Sequence, residues 1–151
     1  LKLAAKLERS ANEPSVFPHV RGAIQDAFGR AEIADVFALD GIETHDCFTT
    51  TEYMAIDHFG ITPAGQSWQA IESGLISADG RLPINPSGGL IGAGHPVGAT
   101  GVRMVLDAAR QVSGQAGATQ VDGAKRFGTL NIGGSATTVV SFVVEGSGSA
   151  G

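Results

Sequence analysis

Between Asn85 and Arg103, six of nineteen residues are glycine, and a single histidine, His95, stands among them between Gly94 and Pro96. Glycine lets the backbone take positive φ and lets another group approach closely. Proline is favoured at the first position of a helix. The segment therefore reads as a tight loop that delivers His95 to a helix N-terminus. A sequence under pressure only to fold rarely needs so much permissive backbone around one titratable side chain.

A helical pattern follows at once. Val102, Val105, Leu106 and Ala109 recur at i, i+3, i+4 and i+7, one apolar stripe, and Gly114 supplies a C-terminal stop. The positive end of the helix dipole disfavours an imidazolium. A neutral imidazole serves as base or hydrogen-bond donor near pH 7. Local physics does not separate this from a histidine that caps a helix and does nothing more.

The rest of the composition excludes several classes. A chain of 151 residues is long enough for one domain with a real core. The net charge of −5 and the scattered ten basic residues argue against nucleic-acid binding, which needs clustered Lys and Arg. No apolar run approaches the ~20 residues of a membrane span. The N-terminus carries no secretory or transit pattern. One cysteine excludes an internal disulfide. These features fit a cytoplasmic protein.

Along the chain, Leu1, Leu3, Ala5 and Leu7 alternate with Lys2 and Lys6 as a strand would. Starting inside a strand suggests that an upstream part exists. Asn12 to Ser15 reads as a loop, and Phe17, Val20, Ile24, Ala27 and Phe28 mark a helix with Pro18 in its first turn. A strand is expected from Ala38 to His45, although Asp40-Gly41 is a local misfit there. Phe48, Glu52, Ala55, Ile56 and Phe59 support a second helix, stopped by Gly60. Residues 61 to 81 are turn-rich, and Arg81 to Ile84 reads as a short strand. Phe127 to Asn131 and Thr137 to Val144 read as strands joined by Gly133-Gly134-Ser135, the second rich in Val and Thr. The order β-α-β-α-β-α-β-β predicts an α/β fold, a mixed five-stranded sheet with flanking helices. Residues 1–145 form the domain, and 146–151 a flexible Gly/Ser tail.

Cys47 follows one expected strand and opens one expected helix. A helix N-terminus stabilises a thiolate, the reactive form. On the residues alone, a small buried hydrophobe is the plainer reading of a free cysteine. His45 equally suits a strand end, and Gly133 an ordinary hairpin. His19 and His58 belong to no motif and read as surface or boundary residues. Trp68 and Phe59 read as core or rim. A metal at His45-x-Cys47 lacks a second close pair of ligands. The glycine loop lacks the ending of a P-loop and the spacing of a dinucleotide fingerprint.

Three motifs change the weighing. Asn85-x-x-Gly-Gly-x-Ile-x-x-Gly-His-Pro-x-Gly-x-x-Gly101 resembles the Gly-His-Pro signature of thiolases. His45-Asp46-Cys47-Phe48 resembles the motif of the sterol-carrier-protein type of thiolase. Asn131-Ile132-Gly133-Gly134-Ser135 resembles the glycine turn near the thiolase C-terminus. They occur in the family's order and cover the C-terminal half of such an enzyme. The resemblance implies reversible Claisen chemistry on 3-ketoacyl-CoA, with acyl-CoA and coenzyme A as substrates and no permanently bound cofactor or metal. It implies that His95 activates a nucleophilic cysteine held in an N-terminal half and helps bind a thioester oxygen. It implies that Cys47 is the acid/base at the α-carbon, replacing the cysteine that other thiolases carry where Asn131 stands. His45 takes the place of an asparagine at the same oxyanion hole, and Gly133 offers an N–H to a second. Asn85 orders the loop. The chain is expected to need its N-terminal half and to form homo-oligomers, with no nucleic-acid or membrane partner. A thiolase-like aldolase of steroid side-chain breakdown and a non-catalytic interaction subunit remain open beside it.

Overall fold

The computed structural model describes residues 16–134 and 136–147. Its sheet runs β1 (Gly41–Thr44), β2 (Arg126–Gly133), β3 (Thr138–Glu145), in that spatial order. β1 and β2 are parallel, with Gly41 opposite Phe127 and Thr44 opposite Leu130. β2 and β3 form an antiparallel hairpin from Arg126–Glu145 to Gly133–Thr138.

Five strands were expected, and the sheet of the described residues has three. The stretch at Arg81–Ile84 contributes a single parallel bridge, Ile84 to Ile42. Its chemistry explains this. Pro83 has no N–H to give, and the amides of Leu82 and Ile84 turn back to the carbonyls of Leu75 and Ile76, at 3.0 and 3.1 Å. The strand expected at Leu1–Leu7 lies outside the described residues, as does most of the 146–151 segment.

β1 begins at Gly41, later than expected, because Val36–Ala38 forms a 3-10 turn capped by the Asp35 side chain. The Asp40-Gly41 misfit has a tertiary cause. The Asp40 side chain accepts the N–H groups of Lys125 and Arg126, at 2.7 and 2.9 Å, while its own N–H donates to the Arg126 carbonyl at 2.9 Å. Gly41 lies against the Phe127 ring, where a Cβ would collide.

Helix α1 (Pro18–Arg30) buries Val20, Ile24, Ala27 and Phe28 and carries Pro18 at its start. Helix α2 (Thr49–Phe59) ends on Gly60 at φ 78°, a left-handed cap. These two helices cover one face of the sheet, where Ile24, Ile56, Leu39, Ile42, Leu82 and Leu130 form the main core. Each such side chain stabilises by about 1.5–3 kcal/mol on burial. A short helix, α3 (Ser67–Glu72), interrupts the turn-rich stretch.

His58 is a correction. It is 2% exposed, accepts the Phe17 N–H at 2.8 Å and bonds the Met54 carbonyl at 2.7 Å, so it fastens the start of α1 to α2. Of the two aromatics read as core or rim, Phe59 is core and Trp68, 48% exposed, lies at the rim.

The glycine segment contains a helix that its composition hid, α4 (Gly89–Ala93). The next helix, α5 (Thr100–Val112), starts five residues after His95 rather than at Pro96. The face it buries also differs from expectation. Thr100, Met104, Ala108 and Gln111 point inward, while Val102 and Leu106 are 74% and 46% exposed. Gln111 is accommodated because its amide donates to Thr119 and accepts from Val121, at 2.7 and 2.8 Å. α5 covers the second face of the sheet through a small cluster around Ala108 and Phe127.

Candidate active site

Two segments converge at the C-terminal end of β1. One is Glu43–Cys47, which leaves the sheet, and the other is the glycine segment Asn85–His95. His45 extends the ladder by donating its N–H to the Leu130 carbonyl at 2.9 Å. Beyond it the chain turns, so that Cys47 stands just ahead of α2.

Side chains of one segment hold the backbone of the other. Asn85, at φ 52°, accepts the Thr44 N–H at 2.7 Å and donates to the Glu52 carboxylate at 3.0 Å. Glu43 accepts the N–H and the hydroxyl of Ser87, at 3.2 and 2.6 Å. Asp46 accepts the Leu90 N–H at 2.6 Å. Gly89 must be glycine here: it has φ 58°, and a Cβ would run into the Asp46 carboxylate. Burial raises the Glu43 pKa to about 7, against the opposing bonds from Ser87. Burial also raises that of Glu52, opposed by its bond from Asn85 and assisted by the Asp46 charge.

The result is a pair of imidazoles. The rings of His45 and His95 lie 5.0 Å apart, edge to face at 86°. His95 Nδ1 is 2.7 Å from the Thr100 hydroxyl, which itself donates to the Pro96 carbonyl at 3.1 Å. With that proton committed, the hydroxyl offers His95 a lone pair. Nδ1 then carries the hydrogen, and Nε2 is left with a free lone pair. His45 is 8% exposed, and its Nδ1 has no hydrogen-bond partner among the described residues. Burial first, and then the repulsion a protonated His95 would exert on a protonated His45, lower its pKa; Asp46 opposes them. These effects favour the neutral form of His45, whose Nδ1 meets no partner among the described residues.

Both rings face a cleft of about 770 Å³. Cys47, Asn131 and Gly133 line the same cleft, so all four expected site residues meet there. Cys47 is a free, half-buried thiol whose sulfur lies 3.6 Å from the Thr51 hydroxyl. The Asn131 amide donates to the Met104 sulfur at 3.1 Å. Phe48, Val97, Val102, Val140 and Phe142 give the cleft an apolar wall. An arrangement of this kind, with a thiol, an unprotonated imidazole nitrogen and an apolar approach, can move protons and polarise a carbonyl. Sequence reasoning missed Thr100, Glu43, Ser87 and Asp46, whose partners become visible only in three dimensions. Among the described residues, no group of three or more His, Cys, Asp and Glu could hold a metal ion. No helix there is long and apolar enough to cross a membrane.

A mixed sheet between helices, with a Gly-His-Pro loop meeting a His-Asp-Cys-Phe strand end, defines a thiolase-like domain. The chain belongs to the thiolase C-terminal domain-like family, which matches residues 5–146. It is 40% identical over 116 residues to the acetyl-CoA acetyltransferase of Methanothermobacter thermautotrophicus, covering 77% of this chain and 30% of the relative. It is 41% identical over 108 residues to human sterol carrier protein 2, covering 72% of this chain and 20% of that protein. The chain thus spans less than a third of the length of either relative. Among solved structures, the Ltp2-ChsH2(DUF35) aldolase superposes with a TM-score of 0.79, at 18% identity, over 92% of this chain and 34% of that one. That likeness concerns the fold.

Proposed function

We propose that this chain is the C-terminal half of a thiolase that cleaves or forms 3-ketoacyl-CoA. The reading takes residues 1–145 as the domain and requires an N-terminal half bearing the nucleophilic cysteine. The observation that carries it is the convergence of His45, Cys47, His95 and Gly133 on one cleft.

In the degradative direction, His95 Nε2 takes the proton of the nucleophilic thiol. The thiolate adds to the 3-keto carbon, and the oxyanion is met by His95 and His45. The bond between the α- and β-carbons then breaks. Its electron pair goes to the enolate of acetyl-CoA or propionyl-CoA, and Cys47 protonates the α-carbon. The Gly133 N–H stabilises the enolate oxygen, a contribution of roughly 2.7–4 kcal/mol for such donors. Coenzyme A then gives its thiol proton to the Cys47 thiolate and takes the acyl group from the cysteine, whose sulfur recovers its proton from His95. The place of Cys47 in the cleft favours this over an aldolase, which needs no acyl-enzyme, and over a non-catalytic subunit.

The deciding experiment compares acyl-enzyme formation with full turnover in the complete enzyme. Cys47→Ser is expected to spare acyl transfer to the nucleophile more than carbon–carbon cleavage. Equal losses in both steps would contradict this division of roles. The chain by itself is expected to show no thiolysis, because its single thiol is assigned to the acid/base position. Robust turnover by the purified chain alone would overturn the half-enzyme reading.

A further inference from the structure

Arg103 reaches back from α5 to both ends of α4. Its Nη1 donates to the Gly94 carbonyl at 3.1 Å and its Nη2 to the Gly89 carbonyl at 3.0 Å. Gly94 immediately precedes His95 and takes φ 91° and ψ 160°, which turns its carbonyl out of the helix. The Arg103 side chain is 21% exposed, and its Nε stands 3.6 Å from Asp107, itself 14% exposed. Asp107 faces Arg110 as well, at 3.7 Å, and Glu43 is near enough for its charge to couple to both Arg103 and Asp107.

The same helix carries Thr100, which fixes the His95 ring. One rigid element therefore sets the ring through Thr100 and the backbone just before it through Arg103. A planar guanidinium with two parallel donors suits two carbonyls at a fixed spacing, whereas an ammonium supplies a single point of charge.

We infer that Arg103 is a positioning residue for His95, holding the α4 turn so that Nε2 meets the nucleophilic thiol. This rests on the thiolase reading above. A displacement of about 1 Å in a reacting group can cost on the order of a hundredfold in rate.

The test uses Arg103→Met, Arg103→Lys and His95→Ala in the complete enzyme. Acyl-enzyme formation, KM and thermal unfolding are measured for each. For Arg103→Met, acylation is expected to slow between about tenfold and a hundredfold, with KM changed less than about twofold. Arg103→Lys should recover little of this, and millimolar guanidinium should restore part of the rate to Arg103→Met. Undiminished acylation by Arg103→Met, where His95→Ala has lost it, would overturn the inference and leave the thiolase reading intact. A loss that merely follows the folded fraction, with no guanidinium rescue, would overturn it too. Undiminished acylation by His95→Ala would instead remove the assigned role of His95, and this inference with it.

Discussion

Glu43 is a carboxyl group with no exposed surface, placed on β1 and, among the described residues, bonded through its side chain to Ser87. Its pKa, raised from 4.5 to about 7, makes it a stability element as well as a strut. Between those values the folded chain holds a proton that the unfolded chain has released. Stability from this group therefore falls as pH rises from 4.5 to 7, by on the order of 3 kcal/mol in full. Glu43→Gln keeps an oxygen for the Ser87 N–H and cannot ionise. The melting temperature of Glu43→Gln relative to wild type should therefore climb between pH 5 and pH 8, and a flat difference would refute this. His45 has the opposite sign. Its lowered pKa means that stability is lost as pH falls below the ordinary histidine range. At Thr100, the hydroxyl that receives His95 Nδ1 is the feature to remove. Thr100→Val should slow acyl-enzyme formation by about tenfold while preserving the helix, as rapid-quench kinetics and circular dichroism would show.

At the scale of elements, the α4 turn is where sequence tolerance is narrowest. Gly89→Ala combines positive φ with a collision against the Asp46 carboxylate, whereas a Cβ at Gly92 meets nothing within 4 Å. Gly89→Ala should cost more than about 2 kcal/mol and Gly92→Ala almost nothing, measured by denaturant unfolding. The boundaries of α1 and α2 were legible because local residues write them: Pro18 opens one and Gly60 closes the other. The candidate site was legible at Cys47, His45 and His95, where motifs mark positions that come to line one cleft. Its supports were not, since Asp46 and Leu90 are 44 residues apart and nothing local announces their pairing. The buried face of α5 was misread for a related reason. Val102 and Leu106 make an apolar stripe whichever side they face, and Met104 with Ala108 makes a second. Periodicity locates a stripe but does not say what covers it. The need for glycine at position 41 comes from the Phe127 ring, 86 positions further on, and so lay beyond any local reading.

At the scale of the molecule, bulky apolar side chains on α5, on the loop before it and on β3 are left exposed. Val97, Val102 and Leu106 are 81%, 74% and 46% exposed, and Val140 and Phe142 on β3 are 42% and 49%. Under the half-enzyme reading, exposed apolar side chains of this kind are expected to be covered by the N-terminal half. With an N-terminal thiolase half supplied as a separate chain, Val102→Glu and Leu106→Glu should each weaken association by about tenfold or more. Titration calorimetry would measure this, and an unchanged melting temperature for each variant alone would show that the fold survives. Full-strength association by both variants would place the interface elsewhere.

The bonds between Glu43–Cys47 and Asn85–His95 span nearly equal lengths of chain, 41 residues for Thr44 to Asn85 and 44 for Glu43 to Ser87 and Asp46 to Leu90. Closing a loop of that size carries an entropic cost that rises only as the logarithm of its length. The first bond to form meets nearly all of it, and the later ones meet little. The amide hydrogens of Thr44, Ser87 and Leu90 should then exchange with solvent at a single opening free energy, though they belong to a strand, a turn and a helix. Removing one bond should lower protection at all three together. The candidate site would be the unit that opens and closes, and its residues would share one lifetime.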